Sequence, residues 1–269
     1  MKIKKILLPV NFSSCSLNAL RYAGHLAEKF EATLLILNAM DEETNSVDIN
    51  NAEKSPQIKK ISELINDDPR LVNIMTDIIV TGKDKEDAVL WAADTFDIDL
   101  IIMGTDGIRS PYDELAGTFS YQIVSSSPVP VLTIPPDYQY EEFKKIGFGV
   151  DYKHIDHTSV LDIILEFSYT YDSEIEMFHI EKYSEERASK EAYESAKLND
   201  YFLGVNHHFM TIKNHSIWEG LKEYIEINQP DLLAIMPRKY NFFDWLSHDS
   251  VSKEVVQHIK LPVLTFPDK

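Results

Sequence analysis

Residues 103–118 read MGTDGIRSPYDELAGT, and the fold follows from what flanks them. Before them lies an apolar run, DLIIM at 99–103, with the unbroken hydrophobicity of a strand buried on both faces. After them comes FSYQIV at 119–124, which reads as the first turns of a helix. Gly104 and Gly107 therefore sit where a strand ends, and Gly117 and Thr118 where a helix begins. In an open α/β sheet this is where a nucleotide binds, outside the carboxyl ends of the strands, with phosphates against the N–H groups of a helix start. Glycine at 104 and 107 lets the backbone approach a sugar or phosphate with no Cβ between them. Gly117 offers a bare N–H, and the Thr118 hydroxyl can cap the helix or donate to a phosphate. The plainer reading is that each is an ordinary turn or cap residue. Four such positions in one strand–loop–helix unit favour a ligand.

Outward from this stretch the chain repeats itself. KILLPVN at 5–11 matches KIGFGVD at 145–151, and TLLILN at 33–38 matches EIEMFH at 174–179. DLIIM at 99–103 matches DLLAI at 231–235, and PVPVLTIP at 128–135 matches KLPVLTFP at 260–267. Order and near-spacing are kept, so the chain is two copies of one unit rather than a solenoid. In the first copy the pattern predicts strands near 4–10, 33–39, 74–80, 99–104 and 130–134, and helices near 14–30, 52–66, 84–96 and 116–126. Apolar strands alternating with amphipathic helices make a doubly wound, parallel α/β sheet. Two tandem domains are expected, 1–136 and 143–269, joined by PPDYQYEE at 135–142. The polar stretch 41–56 reads as a loop entering the second helix, and the charged, helix-prone stretch 181–197 as solvated surface.

Composition narrows the function. The 269 residues are 44% hydrophobic, enough for packed cores, and carry a formal net charge of −18. Nucleic acids and anionic membranes call for a basic surface, so neither is an expected partner. A phosphate site built from backbone N–H groups is local and survives that charge. The single cysteine, Cys15, excludes an intramolecular disulfide, suits a cytoplasmic location and reads as a small packing residue. The apolar run 6–10 behind Lys2, Lys4 and Lys5 is too short for a signal peptide. No P-loop pattern occurs, and no base or arginine finger for phosphoryl transfer stands near the motif. An enzyme is therefore not expected, beyond slow hydrolysis of bound ATP. His154 and His157 have a spacing that can share a metal, without the surrounding ligands that would argue for one. His207 and His208 fall on opposite faces if they lie in a strand.

On these residues the sequence resembles the universal stress protein family in its tandem form. The spacing of Gly104, Gly107, Gly117 and Thr118 matches the pattern of that family's ATP-binding branch. Residues 6–13, ILLPVNFS, look like its first strand and loop, and 129–132, VPVL, like its last strand. The resemblance implies Rossmann-like domains of the adenine nucleotide alpha hydrolase type, and ATP or a related adenine nucleotide as ligand, with magnesium as a candidate companion. It implies that Pro9, Val10, Asn11 and Ser13 line the nucleoside end and that Ala39 and Met40 edge the adenine. Met103, Gly104, Thr105 and Gly107 would run along the ribose and phosphates, and Gly117, Thr118 and Phe119 would meet the phosphates. Arg109 would reach a terminal phosphate, unless it is a solvated loop residue. Asn11 stands where the family usually has aspartate, and Asp106 where it often has histidine, so that a carboxylate either repels phosphate or holds a metal beside it.

The second copy departs from the pattern. Met236, Lys239, Asp249 and Ser250 replace Gly104, Gly107, Gly117 and Thr118, although Asp151 keeps the acid of the first strand. This copy reads as a degenerate partner without nucleotide, and its aromatic stretch 240–246 as interface or core cover. The resemblance also implies antiparallel contact between the last strands of the two copies, an intramolecular pseudo-dimer, with a homodimer of whole chains beyond it. The expected role is a stress-response nucleotide binder that signals through conformation or partners. A scaffold that binds no nucleotide is the alternative, and an adenylating type of enzyme a third class.

Overall fold

The computed structural model describes residues 2–40, 55–105, 119–136, 138–150, 158–182, 188–236 and 259–267. The first copy runs β1 (Lys5–Pro9), α1 (Ser14–Phe30), β2 (Thr33–Ala39), α2 (Pro56–Asp67), α3 (Pro69–Asn73), β3 (Thr76–Thr81), α4 (Lys85–Thr95), β4 (Leu100–Gly104), α5 (Phe119–Ser126) and β5 (Val131–Ile134). The second runs β6 (Lys145–Gly149), α6 (Thr158–Tyr171), β7 (Glu174–Lys182), α7 (Ala188–Tyr201), β8 (His207–Asn214), α8 (Ile217–Asn228), β9 (Leu232–Ile235) and β10 (Val263–Thr265). The strands expected in the first copy are all present. The short helix α3 was not anticipated: the Asp68 carboxylate caps it by accepting from Arg70 N, and Pro69 opens its first turn.

Among the described residues, ten strands form one sheet in the order β3-β2-β1-β4-β5-β10-β9-β6-β7-β8. Every pairing is parallel except β5 with β10, which is antiparallel as the resemblance implies. At that join Leu132 faces Leu264, its own counterpart in the repeat, and Thr133 and Thr265 face Val263 and Val131. The threonine hydroxyls reciprocate: Thr133 Oγ1 donates to Val263 O at 3.3 Å and Thr265 Oγ1 to Val131 O at 3.1 Å. Residue i meeting j while j meets i is the mark of an isologous contact, here between two stretches of one chain.

The duplication is visible in the backbone as well. Asp99 Oδ2 accepts from Lys4 N and Lys5 N at 2.8 and 2.9 Å, and Asp231 Oδ2 from Lys144 N and Lys145 N at 2.8 Å each. Lys5 Nζ and Lys145 Nζ donate to matching helix-end carbonyls, Phe96 O and Asn228 O. Left-handed residues recur in register: Glu31 with Asp172, and Asp97 with Gln229. These non-glycine residues follow the helices α1, α6, α4 and α8, where such a conformation turns the chain toward the next strand.

Strand side chains alternate, so the sheet has two apolar faces. One face carries a single core shared by both copies, from Ile6, Leu8 and Ile36 through Leu132 and Leu264 to Ile146, Phe148 and Met177. Helices α1 and α6 meet on it through Phe30 and Phe167, edge to face at 5.0 Å. The other face is divided into two separate cores, one around Leu7, Leu35 and Ile101, the other around Phe178, Tyr224 and Leu233. Residues 138–140 of the connector lie along α1: Asn18 Nδ2 donates to Tyr138 O, His25 stacks on Tyr140 at 3.8 Å, and Tyr22 meets Tyr140 edge to face. Among the described residues no helix is long and apolar enough to cross a membrane.

Candidate functional site

The strand order reverses direction between β1 and β4, so the crevice of the first copy opens beyond the ends of those two neighbours. Four groups of expected site residues converge there by topology. Pro9 ends β1 and Val10, Asn11 and Ser13 follow it, Ala39 ends β2 and Met40 follows it, Met103 and Gly104 end β4 and Thr105 follows it, and Phe119 opens α5. Gly107, Arg109, Gly117 and Thr118, with Asp106, lie outside the described residues.

Exposure separates side-chain candidates from backbone candidates. Asn11 and Phe119 are exposed, while Ser13, Ala39 and Gly104 are half-buried. Val10, Met40, Met103 and Thr105 are buried, with Val10 and Met103 in the cores of opposite sheet faces. These four offer a crevice their main-chain groups rather than their side chains. Several of those groups are already engaged: Val10 N donates to Leu37 O, Met40 N to Thr81 O, and Thr105 N to Ile134 O.

The loop from β1 to α1 is closely wound. Asn11 Oδ1 accepts from Ser13 N at 3.1 Å, and Ser13 Oγ caps α1 by accepting from Ser16 N at 3.2 Å. Ser16 Oγ donates to Ser13 O at 3.1 Å. Between them Phe12 takes φ +60°, an outlying conformation for a bulky side chain. Such a residue costs on the order of 1–3 kcal/mol and persists only when its surroundings impose it. Its ring packs against the shared core, and Lys60 Nζ of α2 stands 3.9 Å from the ring centroid. Asn38, buried in β2, donates to Val10 O at 2.8 Å and holds the end of β1 in place.

Gly104 has a packing reason that the sequence did not reveal. A Cβ there would lie 2.4 Å from Cys15 O and 2.7 Å from Cys15 C, both backbone atoms. The close approach expected of a ligand is made by the first turn of α1 itself. Ser120 of α5, itself buried, donates to Gly104 O at 3.1 Å and ties the far side of the motif to the same residue. Phe12, Ser16, Lys60 and Ser120 were not singled out from sequence. The signal available was the F-S-x-x-S spacing after the strand, which reads as an ordinary cap.

In the second copy the equivalent crevice lies between β6 and β9. His179 Nδ1 lies 2.9 Å from Val150 O, in the role of Asn38. Met236, in place of Gly104, is half-buried against the shared core. Asp151, His154, His157, Lys239, residues 240–246, Asp249 and Ser250 lie outside the described residues. The interior near the start of these strands is polar. Glu176, 4% exposed, accepts from Tyr224 Oη at 2.9 Å and pairs with Lys145 Nζ at 3.4 Å. The ring nitrogens of His208 stand 3.2 Å from Glu174 Oε1 and from Glu176 Oε1. Burial, then the hydrogen bond to Glu176, pushes the Tyr224 phenol up, so it remains a donor. His207 does fall apart from its neighbour, bonding to Val205 O and Asn199 Oδ1.

Comparison with known proteins places this architecture. The model of the Universal stress protein family matches residues 2–135. Through its first half, the chain belongs to the universal stress protein family. The whole fold is similar to a universal stress protein from Archaeoglobus fulgidus, with TM-score 0.72, 15% identity, and coverage of 99% of this chain and 97% of that one. It is similar also to a putative universal stress protein from Pseudomonas aeruginosa, with TM-score 0.68, 11% identity, and coverage of 98% and 93%. A functionally unknown protein from Pseudomonas aeruginosa gives TM-score 0.68, 12% identity, and coverage of 99% and 93%. At these identities the likeness is one of fold, and it extends over both copies of the unit. No curated protein matches the chain.

Proposed function

We propose that this universal stress protein binds one adenine nucleotide per chain, ATP or a relative, in its first half (residues 1–136). The second half (residues 143–269) acts as a structural partner without nucleotide. The observation that carries the reading is the position of the motif. Gly104, the first residue of the glycine pattern, ends β4 beside the end of β1, at the switch point of the sheet. Asn11 is exposed at the same crevice, and Phe119 opens the helix that follows the motif. Main-chain groups at Ala39 and Met40 would edge the base, Asn11 and Ser13 the ribose, and Gly117, Thr118 and the helix start the phosphates, with Asp106 the candidate for holding magnesium. The output is conformational or partner-mediated stress signalling in the cytoplasm.

Titration calorimetry with ATP and magnesium tests this. One site per chain is expected, and Gly117→Asp, which puts a carboxylate among the phosphates as Asp249 does in the second copy, should abolish binding with the circular dichroism unchanged. Two equal sites, or no heat at millimolar ATP, would refute the reading.

One observation favours a scaffold that binds no nucleotide. Gly104 is already required by the contact with Cys15, so its presence does not by itself demand a ligand. The same titration separates the two readings, because the scaffold binds nothing.

A further inference from the structure

We propose that Lys60 and Phe12 form a latch that holds the β1–α1 loop, and with it Asn11 and Ser13, in the shape the nucleotide site uses. Both are positioning residues. Phe12 sits at φ +60°, between the residue whose side-chain oxygen accepts from Ser13 N and the residue that caps α1. Relaxing it to negative φ swings Asn11 and Ser13 relative to each other and breaks the short turn between them. The left-handed conformation therefore has to be held, and what holds it is the ring.

The ring has two anchors. Its apolar body packs against the shared core. The Lys60 ammonium stands 3.9 Å from its centroid, well within the range in which a cation is attracted to an aromatic face. Lys60 is exposed, and it reaches across from α2 to a loop about fifty residues earlier in the chain. Its neighbour Lys59 pairs instead with Glu63 along the helix. The lysine thus links the helix after β2 to the loop after β1, which carries Asn11 and Ser13. Its consequence for affinity rests on the nucleotide-binding reading, but the latch itself does not.

That separation can be measured, because Cys15 is the sole cysteine of the chain and lies buried two residues beyond the cap. Its labelling rate by a thiol reagent under native conditions reports opening of the loop with no nucleotide present. Lys60→Met removes the cation and keeps the stem, Lys60→Arg keeps the cation, and Phe12→Leu keeps an apolar anchor without an aromatic face. Lys60→Met and Phe12→Leu should each speed labelling about two- to fivefold, the size of an exposed cation–π contact. Lys60→Arg should leave the rate at the parent value. The double variant Phe12→Leu with Lys60→Met should label no faster than the slower-closing single variant, because each change removes the same interaction. ATP affinity should fall about threefold in the same variants. Labelling unchanged in Lys60→Met, or effects that simply multiply in the double variant, overturns the latch. If labelling responds as expected while the parent binds no ATP, the latch stands and the nucleotide reading falls.

Discussion

The two halves of this sheet solve one packing problem in opposite ways. In the first half, on the face covered by α4, the space near the strand starts is filled by Leu7, Leu35 and Ala92. The matching positions in the second half are Gly147, Glu176 and Tyr224. Large, large and small has become small, polar and large. A Cβ on Gly147 would lie 2.5 Å from Tyr224 Oη, so the glycine is the room the tyrosine needs. The tyrosine in turn donates to Oε2 of a buried carboxylate whose Oε1 faces Lys145 and His208. One apolar core and one hydrogen-bonded core thus support the same strand order, which shows that the topology tolerates a change of chemistry when volume and polarity change together. At the other end of the strands the contrast is one of size: Gly104 ends β4, and Met236 follows its counterpart β9.

The largest effect should come from breaking the polar core. Glu176→Ala leaves the buried Tyr224 hydroxyl without its acceptor and opens a cavity beside it, and should cost about 3–4 kcal/mol in urea unfolding. The triple change Gly147→Leu, Glu176→Leu, Tyr224→Ala transplants the first half's solution and should recover most of that loss, since apolar side chains then fill the space and no buried hydroxyl is left unpaired. If the triple variant is as unstable as Glu176→Ala alone, the two cores are not equivalent solutions.

Next in size is the strand end. Gly104→Ala forces a Cβ against the backbone of Cys15 and should cost about 3 kcal/mol, the upper end for overpacking. Met236→Gly should cost clearly less, because it only uncovers part of the shared core. Equal costs would mean that Gly104 does not carry the contact between β4 and α1.

The repeated aspartates sharpen the comparison from the side of likeness. Asp99→Ala and Asp231→Ala each remove a carboxylate that accepts two backbone N–H groups, and each should cost about 2 kcal/mol. A difference beyond about 1 kcal/mol between them would show that the clamps are not interchangeable. The smallest expected effect is at the join, where Thr133→Val and Thr265→Val each delete one reciprocal hydrogen bond at about 1 kcal/mol. Unequal losses there would show that the two-fold relation is only formal.

The sequence alone determined the element pattern and its duplication. Hydrophobic runs of strand length, separated by amphipathic helices and repeated at matching residues, leave few alternatives to a doubly wound sheet. It also placed the glycine motif at a strand end, because Gly104 follows the apolar run Leu100–Met103, which has the length and unbroken hydrophobicity of a buried strand. The antiparallel join of β5 and β10 was legible through the resemblance and the paired apolar endings. What only the tertiary structure decided are relations between residues far apart in the chain. That Gly104 is demanded by Cys15, that Tyr224 fills the space beside Gly147 to reach Glu176, and that Lys60 stands over Phe12 depend on contacts across sequence separations that periodicity does not encode. The same holds for the asymmetry of the sheet, with one face a continuous core and the other divided. Each strand's alternation says which residues point together, but only the packed helices determine whether neighbouring cores merge.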